Sequence, residues 1–246
     1  MAKTDKEIQD WIQNHRPEYY NGIWRAGDLM FEDLNGDGKI GIGNYTLEDH
    51  GDLKIIGNKT PRYNFGLDLG AQYRGFDFRL FLQGTAKRDL DLDSDGYLKP
   101  NTLFVGANTP YDEGKHNVWG STGFKQHLDY FRPEDTKSIF GPNLDAYYPA
   151  PSLGDSYKNF PMAQTRYLQN GAYLRVKNIQ FGYTLPKKLV QKIYMNKVRF
   201  YISGENLLTW TKLSSLFDPE VIGGSYGQGR MYPLSKVVST GISINF

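Results

Sequence analysis

Residues 236 to 246 alternate: Val238, Thr240, Ile242, Ile244 and Phe246 fall on one side, and Val237, Ser239, Gly241, Ser243 and Asn245 on the other. A period of two predicts a β-strand, because successive side chains of extended backbone point to opposite faces. An apolar side opposite a small or polar side suits a strand between lipid and a wet lumen, and equally an edge strand of a soluble sandwich. The other segments share the pattern. In 62–73 the odd positions Tyr63, Phe65, Leu67, Leu69, Ala71 and Tyr73 are apolar, while Asn64, Gly66, Asp68, Gly70 and Gln72 are polar or bare. After Arg74-Gly75, a link short enough for a tight hairpin, Phe76, Phe78, Leu80 and Leu82 resume the apolar side of a strand over 76–86. A strand over 170–185 carries Leu174 and Val176, then changes parity near Lys177-Asn178 to Ile179, Phe181, Tyr183 and Leu185, as a β-bulge would cause. A strand over 197–211 sets Val198, Phe200 and Ile202 against Arg199, Tyr201, Ser203 and Glu205.

The lengths of the links supply an orientation. Short links lie at 74–75 and around 186–195; long segments are 1–61, 87–165 and 212–235. Outer-membrane barrels have short periplasmic turns and long external loops. With the last strand ending in the periplasm, every short link falls on that side and every long segment outside. The expected architecture is therefore all-β, an antiparallel transmembrane barrel portion with long extracellular loops: 1–61 an extracellular loop region, 62–246 the barrel strands. Five strands cannot close such a barrel, whose smallest bacterial forms have about eight. The sheet is expected to stay open, as the C-terminal part of something larger.

Composition agrees. Aromatic residues make up 15% of the chain and glycines number 27, which favours strands, turns and interfacial rings. A net charge of +2 points to no nucleic-acid or acidic partner. No run of about 18 apolar residues suggests a transmembrane helix, and the start of the chain lacks the apolar core of a secretory signal. With no cysteine, disulfides, thiolate metal sites and thiol catalysis are excluded.

Two acidic loops carry candidate chemistry. Asp33, Asn35 and Asp37 place side-chain oxygens at alternate positions before Gly38, with Lys39 offering a backbone carbonyl, and Asp91, Asp93 and Asp95 repeat the spacing before Gly96. Calcium is the ion such a set would take, since it accepts several short carboxylates in a flexible loop. The bidentate acid expected at the twelfth position is replaced by Asn44 and Thr102, so an Asx-turn without metal is the competing reading. Glu48 or Asp49 would complete the first set only if the loop folds back. No nucleophile elbow, P-loop or zinc-protease motif occurs, and His15, His50, His116 and His127 are scattered; the chain is not expected to be an enzyme. Tyr111, Trp119, Tyr130, Tyr147, Tyr148 and Tyr226 are loop aromatics suited either to stacking on a ligand or to packing their own loops. With the Asp-rich loops, they also fit a different class of protein, a soluble calcium-dependent β-sandwich that binds carbohydrate.

Several stretches, in order and over almost the whole chain, resemble one family: Gly27–Ile40, Gly51–Gly66, Asp145–Pro149, Thr165–Asn178, Phe181–Pro186, Tyr201–Trp210, Asp218–Glu220 and the terminal Phe246. They are similar to the C-terminal part of the SusC/RagA-like TonB-dependent transporters. The resemblance implies C-terminal strands of a 22-stranded barrel with a plugged lumen, embedded in the Gram-negative outer membrane. It also implies import of glycans or peptides with a SusD-like surface lipoprotein, and energy from the TonB complex acting through segments that would precede this chain. Ser239, Gly241, Ile244 and Phe246 resemble the signal read by the barrel-assembly machinery, with Ile244 in place of the aromatic often found there. Residues 33–38 are then expected to form a structural turn with or without metal.

Overall fold

The computed structural model describes residues 1–90, 128–150, 156–159, 163–215, 217–222 and 232–246. They belong to two compact units, one of Met1–Ile56 with Leu92–Tyr167 and one of Gly57–Asp91 with Leu168–Phe246.

The second unit is the expected sheet. Strands β1 (Tyr63–Tyr73), β2 (Phe76–Ala86), β5 (Tyr173–Thr184), β6 (Lys197–Glu205) and β8 (Val237–Asn245) lie side by side in that order, every pair antiparallel. Two short strands, β3 (Asp89–Leu90) and β4 (Gln169–Asn170), pair apart from it. Arg74 and Gly75 both have positive φ, 49° and 89°, the backbone of the hairpin turn whose twist matches its flanking strands. A Cβ on Gly75 would run into the Thr184 carbonyl of the adjacent strand end. Phe81 pairs with Asn178 and Leu82 with Val176, so Lys177 is the extra residue of the expected bulge.

That bulge has an effect which the alternation alone did not reveal. The strand expected over 197–211 is two pieces, β6 and β7 (Thr209–Thr211), both paired with β5. Beside Lys177 the neighbouring chain must also give way: Asn206 takes φ 54° and donates its N–H to the Lys177 carbonyl, and Val176 donates to Leu208. The short link between β5 and β6 contains a helical turn, α2 (Lys187–Val190), whose Val190 is buried. Among the described residues no helix is long and apolar enough to cross a membrane.

The first unit holds a helix absent from the sequence expectation for 1–61. Helix α1 (Asp5–His15) starts at Thr4, whose hydroxyl accepts the Glu7 N–H, while the Glu7 carboxylate accepts the Lys3 N–H; it ends at Arg16 in the left-handed region. Ile8, Trp11 and Ile12, spaced for one helical face, pack on Trp24 and Ile40. Trp11 also donates its indole N–H to the Phe31 carbonyl at 3.1 Å. Burial of two indoles in this small cluster stabilises it by about 3–6 kcal/mol.

Candidate functional site: the two faces of the sheet

Register brings the apolar sides of all five long strands together. Leu69 faces Leu80, Leu80 faces Ile179, Phe78 faces Phe181, Phe181 faces Ile202 and Phe200 faces Ile242. The bulge preserves this surface by shifting parity, so that Leu82 meets Val176 instead of Lys177. The face is open: Leu67, Leu69, Phe181 and Ile202 are each 45–49% exposed and Ile242 60%. A contiguous apolar surface of this kind marks a binding or membrane contact.

The opposite face is polar, and four of its charges pair across strands. Asp68 on β1 accepts two bonds from Arg79 on β2, at 2.6 and 3.1 Å. Asp77 on β2 and Arg199 on β6 pair through 2.5 and 2.8 Å bonds although β5 lies between them. Gly182 on β5 makes this reach possible, since a Cβ there would collide with both side chains. Tyr201 likewise lies over Gly241, with the Arg199 guanidinium 5.0 Å from its ring centre. Towards the end of the sheet from which the long connections leave, the buried Arg175 binds Thr209, Asp218 and Glu220 at 2.7–2.8 Å, and Lys177 adds a second cation to Glu220. Burial works to raise the Asp218 pKa. Arg175 and the N–H groups of Glu220 and Leu234 outweigh it and hold the carboxyl below the ordinary carboxylate range.

Ser239 and Gly241 fall on this polar face, paired with Ser203 and Tyr201; Ile244 pairs with Val198, and Phe246 follows the strand, 79% exposed. Asp33, Asn35 and Asp37 do come together, but their oxygens bind the loop itself. Asp33 accepts from Gly36 and Gly38 at 2.6 and 2.8 Å, Asn35 from Asp37, and Asp37 from Lys39. The Gly38 and Gly36 N–H groups hold the Asp33 carboxyl below its usual pKa. Asp49 closes a separate turn with Asn44, and the Lys39 ammonium pairs with Glu18. Among the described residues no group of three or more His, Cys, Asp or Glu is placed to hold a metal. Asp91, Asp93, Asp95, Tyr111, Trp119 and Tyr226 lie outside the described residues. Tyr147, Tyr148 and Tyr167 pack on one another, and burial raises the Tyr148 hydroxyl to about 12. Tyr130 lies under Arg132. These aromatics build their own loop region.

Sequence reasoning missed the roles of Gly182, Arg175 and the Asp218–Glu220 turn. A glycine inside a strand was the available signal for close approach of neighbouring groups. Arg175 in an otherwise apolar stretch was the signal for a buried charge in need of partners.

No protein-family model matches the sequence. Among curated proteins, the chain is 28% identical over 236 residues to TonB-dependent receptor P3 of Formosa agariphila, covering 89% of this chain and 19% of that protein. TonB-dependent receptor P26 of the same organism is 25% identical over 239 residues, covering 90% and 20%. Among solved structures, the RagAB peptide transporter superimposes with a TM-score of 0.51 at 25% identity, over 82% of this chain and 19% of that one. The closed-closed RagAB peptide importer gives 0.53 at 22% identity over 90% and 21%, a likeness of fold. The chain thus spans about a fifth of the length of each protein it matches.

Proposed function

We propose that this chain, which in sequence and fold corresponds to part of a SusC/RagA-like TonB-dependent transporter, forms one sector of the wall of an outer-membrane barrel that imports peptides or glycans. The observation that carries the reading is the pair of opposed faces: one apolar, open and continuous across five strands, the other polar and crossed by the ion pairs Asp68–Arg79 and Asp77–Arg199. In a membrane the first face meets lipid and the second lines a hydrated lumen. The name of the RagAB neighbours favours peptides over glycans as cargo. A SusD-like surface lipoprotein would then capture cargo, and the TonB complex would supply energy.

Lipid excludes unpaired backbone groups, and among the described residues the outer edges of β1 and β8 have no strand beside them. In a complete barrel both would pair with further strands. The barrel-assembly machinery would recognise β8 through Ser239, Gly241, Ile244 and Phe246. The rival reading, a calcium-dependent carbohydrate-binding sandwich, needs a second sheet packed on the apolar face; among the described residues the other sheet is the two-residue pair β3–β4.

Leu69→Arg against Gln72→Arg tests the reading in the full-length protein carrying this sequence. A cation at the lipid midplane costs about 2–4 kcal/mol, so Leu69→Arg should lower the amount of heat-modifiable barrel in outer membranes, while Gln72→Arg leaves it unchanged. Equal assembly of the two variants would remove the lipid-facing assignment.

A further inference from the structure

The first unit contains a charged pair that the transport reading does not use. Lys158 and Asp28 are both wholly buried, 2.7 Å apart and 130 positions distant in sequence. Burying an ion pair is unfavourable unless every remaining donor and acceptor is met. Here they are met. The Lys158 ammonium also donates to the Ile23 carbonyl at 2.7 Å and lies 5.8 Å from the ring centres of Tyr20 and Trp24. Asp28 accepts from the Arg25 N–H at 2.8 Å and from the Asn159 amide at 2.9 Å. Asn159 in turn accepts the Leu29 N–H at 2.7 Å.

The two residues come from a single helical turn, Ser156–Asn159, whose backbone is gripped as well. Tyr19 donates its hydroxyl to the Lys158 carbonyl, and Gln164 donates its amide to that of Asn159. Gln164, with Ala163 and Thr165, forms one side of a cavity of about 220 Å³ whose other sides include Tyr19, Phe31, Ile40 and Ile56. Its lining is mainly apolar, with Glu32, Asp52 and Lys54 among it, and it stands partly open to solvent.

We propose that Lys158 and Asn159 are a latch: inserted into the socket formed by Ile23–Leu29, they hold Ala163–Thr165 as the closed side of this apolar cavity, and release of Lys158 from Asp28 opens it. The chemistry suits a latch better than a greasy contact. An apolar plug would slide among equivalent positions, whereas an ammonium among one carboxylate, one carbonyl and two ring faces has a single satisfied seat. Removal of the Asp28 charge strands the ammonium and favours its return to water.

Amine acetylation of the folded full-length protein carrying this sequence, in detergent and read by peptide mass spectrometry, tests this directly. In the unaltered protein Lys158 should be protected while the exposed Lys54 and Lys137 react. In Asp28→Asn, Lys158 should become reactive and the Leu29 amide should lose its protection from hydrogen exchange, with exchange in β1, β2, β5 and β6 unchanged. Should that variant not fold, Asn159→Ala keeps the ion pair and removes the anchor on Leu29; a rise in Lys158 labelling there supports the latch. Labelling of Lys158 as fast as Lys54 in the unaltered protein would overturn the proposal, as would full protection of Lys158 in both folded variants.

Discussion

Gly182 shows how much can rest on a missing side chain. Asp77 and Arg199 meet across the strand that separates them because nothing projects from its middle. Gly182→Val should force the pair apart and cost about 1–3 kcal/mol, as other overpacking changes do; denaturant unfolding of the assembled protein would measure the loss. Arg175 is a harder case. Its removal leaves Asp218 and Glu220 facing each other with only Lys177 to neutralise them. Arg175→Ala should therefore cost about 3–5 kcal/mol, the range for breaking a buried pair from one side, and should free the 217–222 turn to protease before the sheet unfolds. Acid should act on the same place. Asp218 has a depressed pKa in the folded protein, so its contribution is fully present above the ordinary carboxylate pKa and disappears as pH falls through the lower folded value. Protease sensitivity of this turn should thus rise only below about pH 4, and a turn that loosens between pH 5 and 7 would contradict the assignment.

At the level of elements, the sequence was legible wherever one physical demand dominated. The long strands and the Lys177 bulge could be read because a surface apolar on one side admits one parity at each position. The hairpin at Arg74-Gly75 could be read because two alternating runs are separated by only two residues, the second a Gly that accepts positive φ. Helix α1 was hidden in a segment read as loop, although Thr4 and Glu7 provide the capping signal and Ile8, Trp11 and Ile12 the helical spacing. The break between β6 and β7 had no local signal, since it answers the bulge on the neighbouring strand. Among the charges, the Asp33–Lys39 loop allowed both a calcium site and an Asx-turn, because the two share their residues. Its hydrogen bonds close the turn from within. Deletion of Lys177 should remove only the extra residue, leaving Asn178 opposite Phe81, Val176 opposite Leu82 and Arg175 opposite Gln83 in an unbroken ladder; assembly in outer membranes should then match that of Lys177→Ala, and a sharp fall below it would contradict the bulge assignment.

For the whole molecule, the two faces make opposite demands on the surroundings, and the absence of cysteine makes the demand easy to measure. Within this chain, any single introduced cysteine is a unique labelling site. Deletion of Phe246 from the full-length protein should reduce the amount of inserted barrel without altering its synthesis, as an assembly role for the end of β8 requires. The most direct measurement is a nitroxide scan of β1 from Phe65 to Gln72 in the assembled, lipid-embedded protein, comparing collision with oxygen, which dissolves in lipid, and with a polar nickel chelate, which does not. The account predicts strict alternation: labels at positions 65, 67, 69 and 71 meet oxygen, and labels at 66, 68, 70 and 72 meet the chelate. Chelate access on both faces, or alternation in the reverse phase, would contradict it.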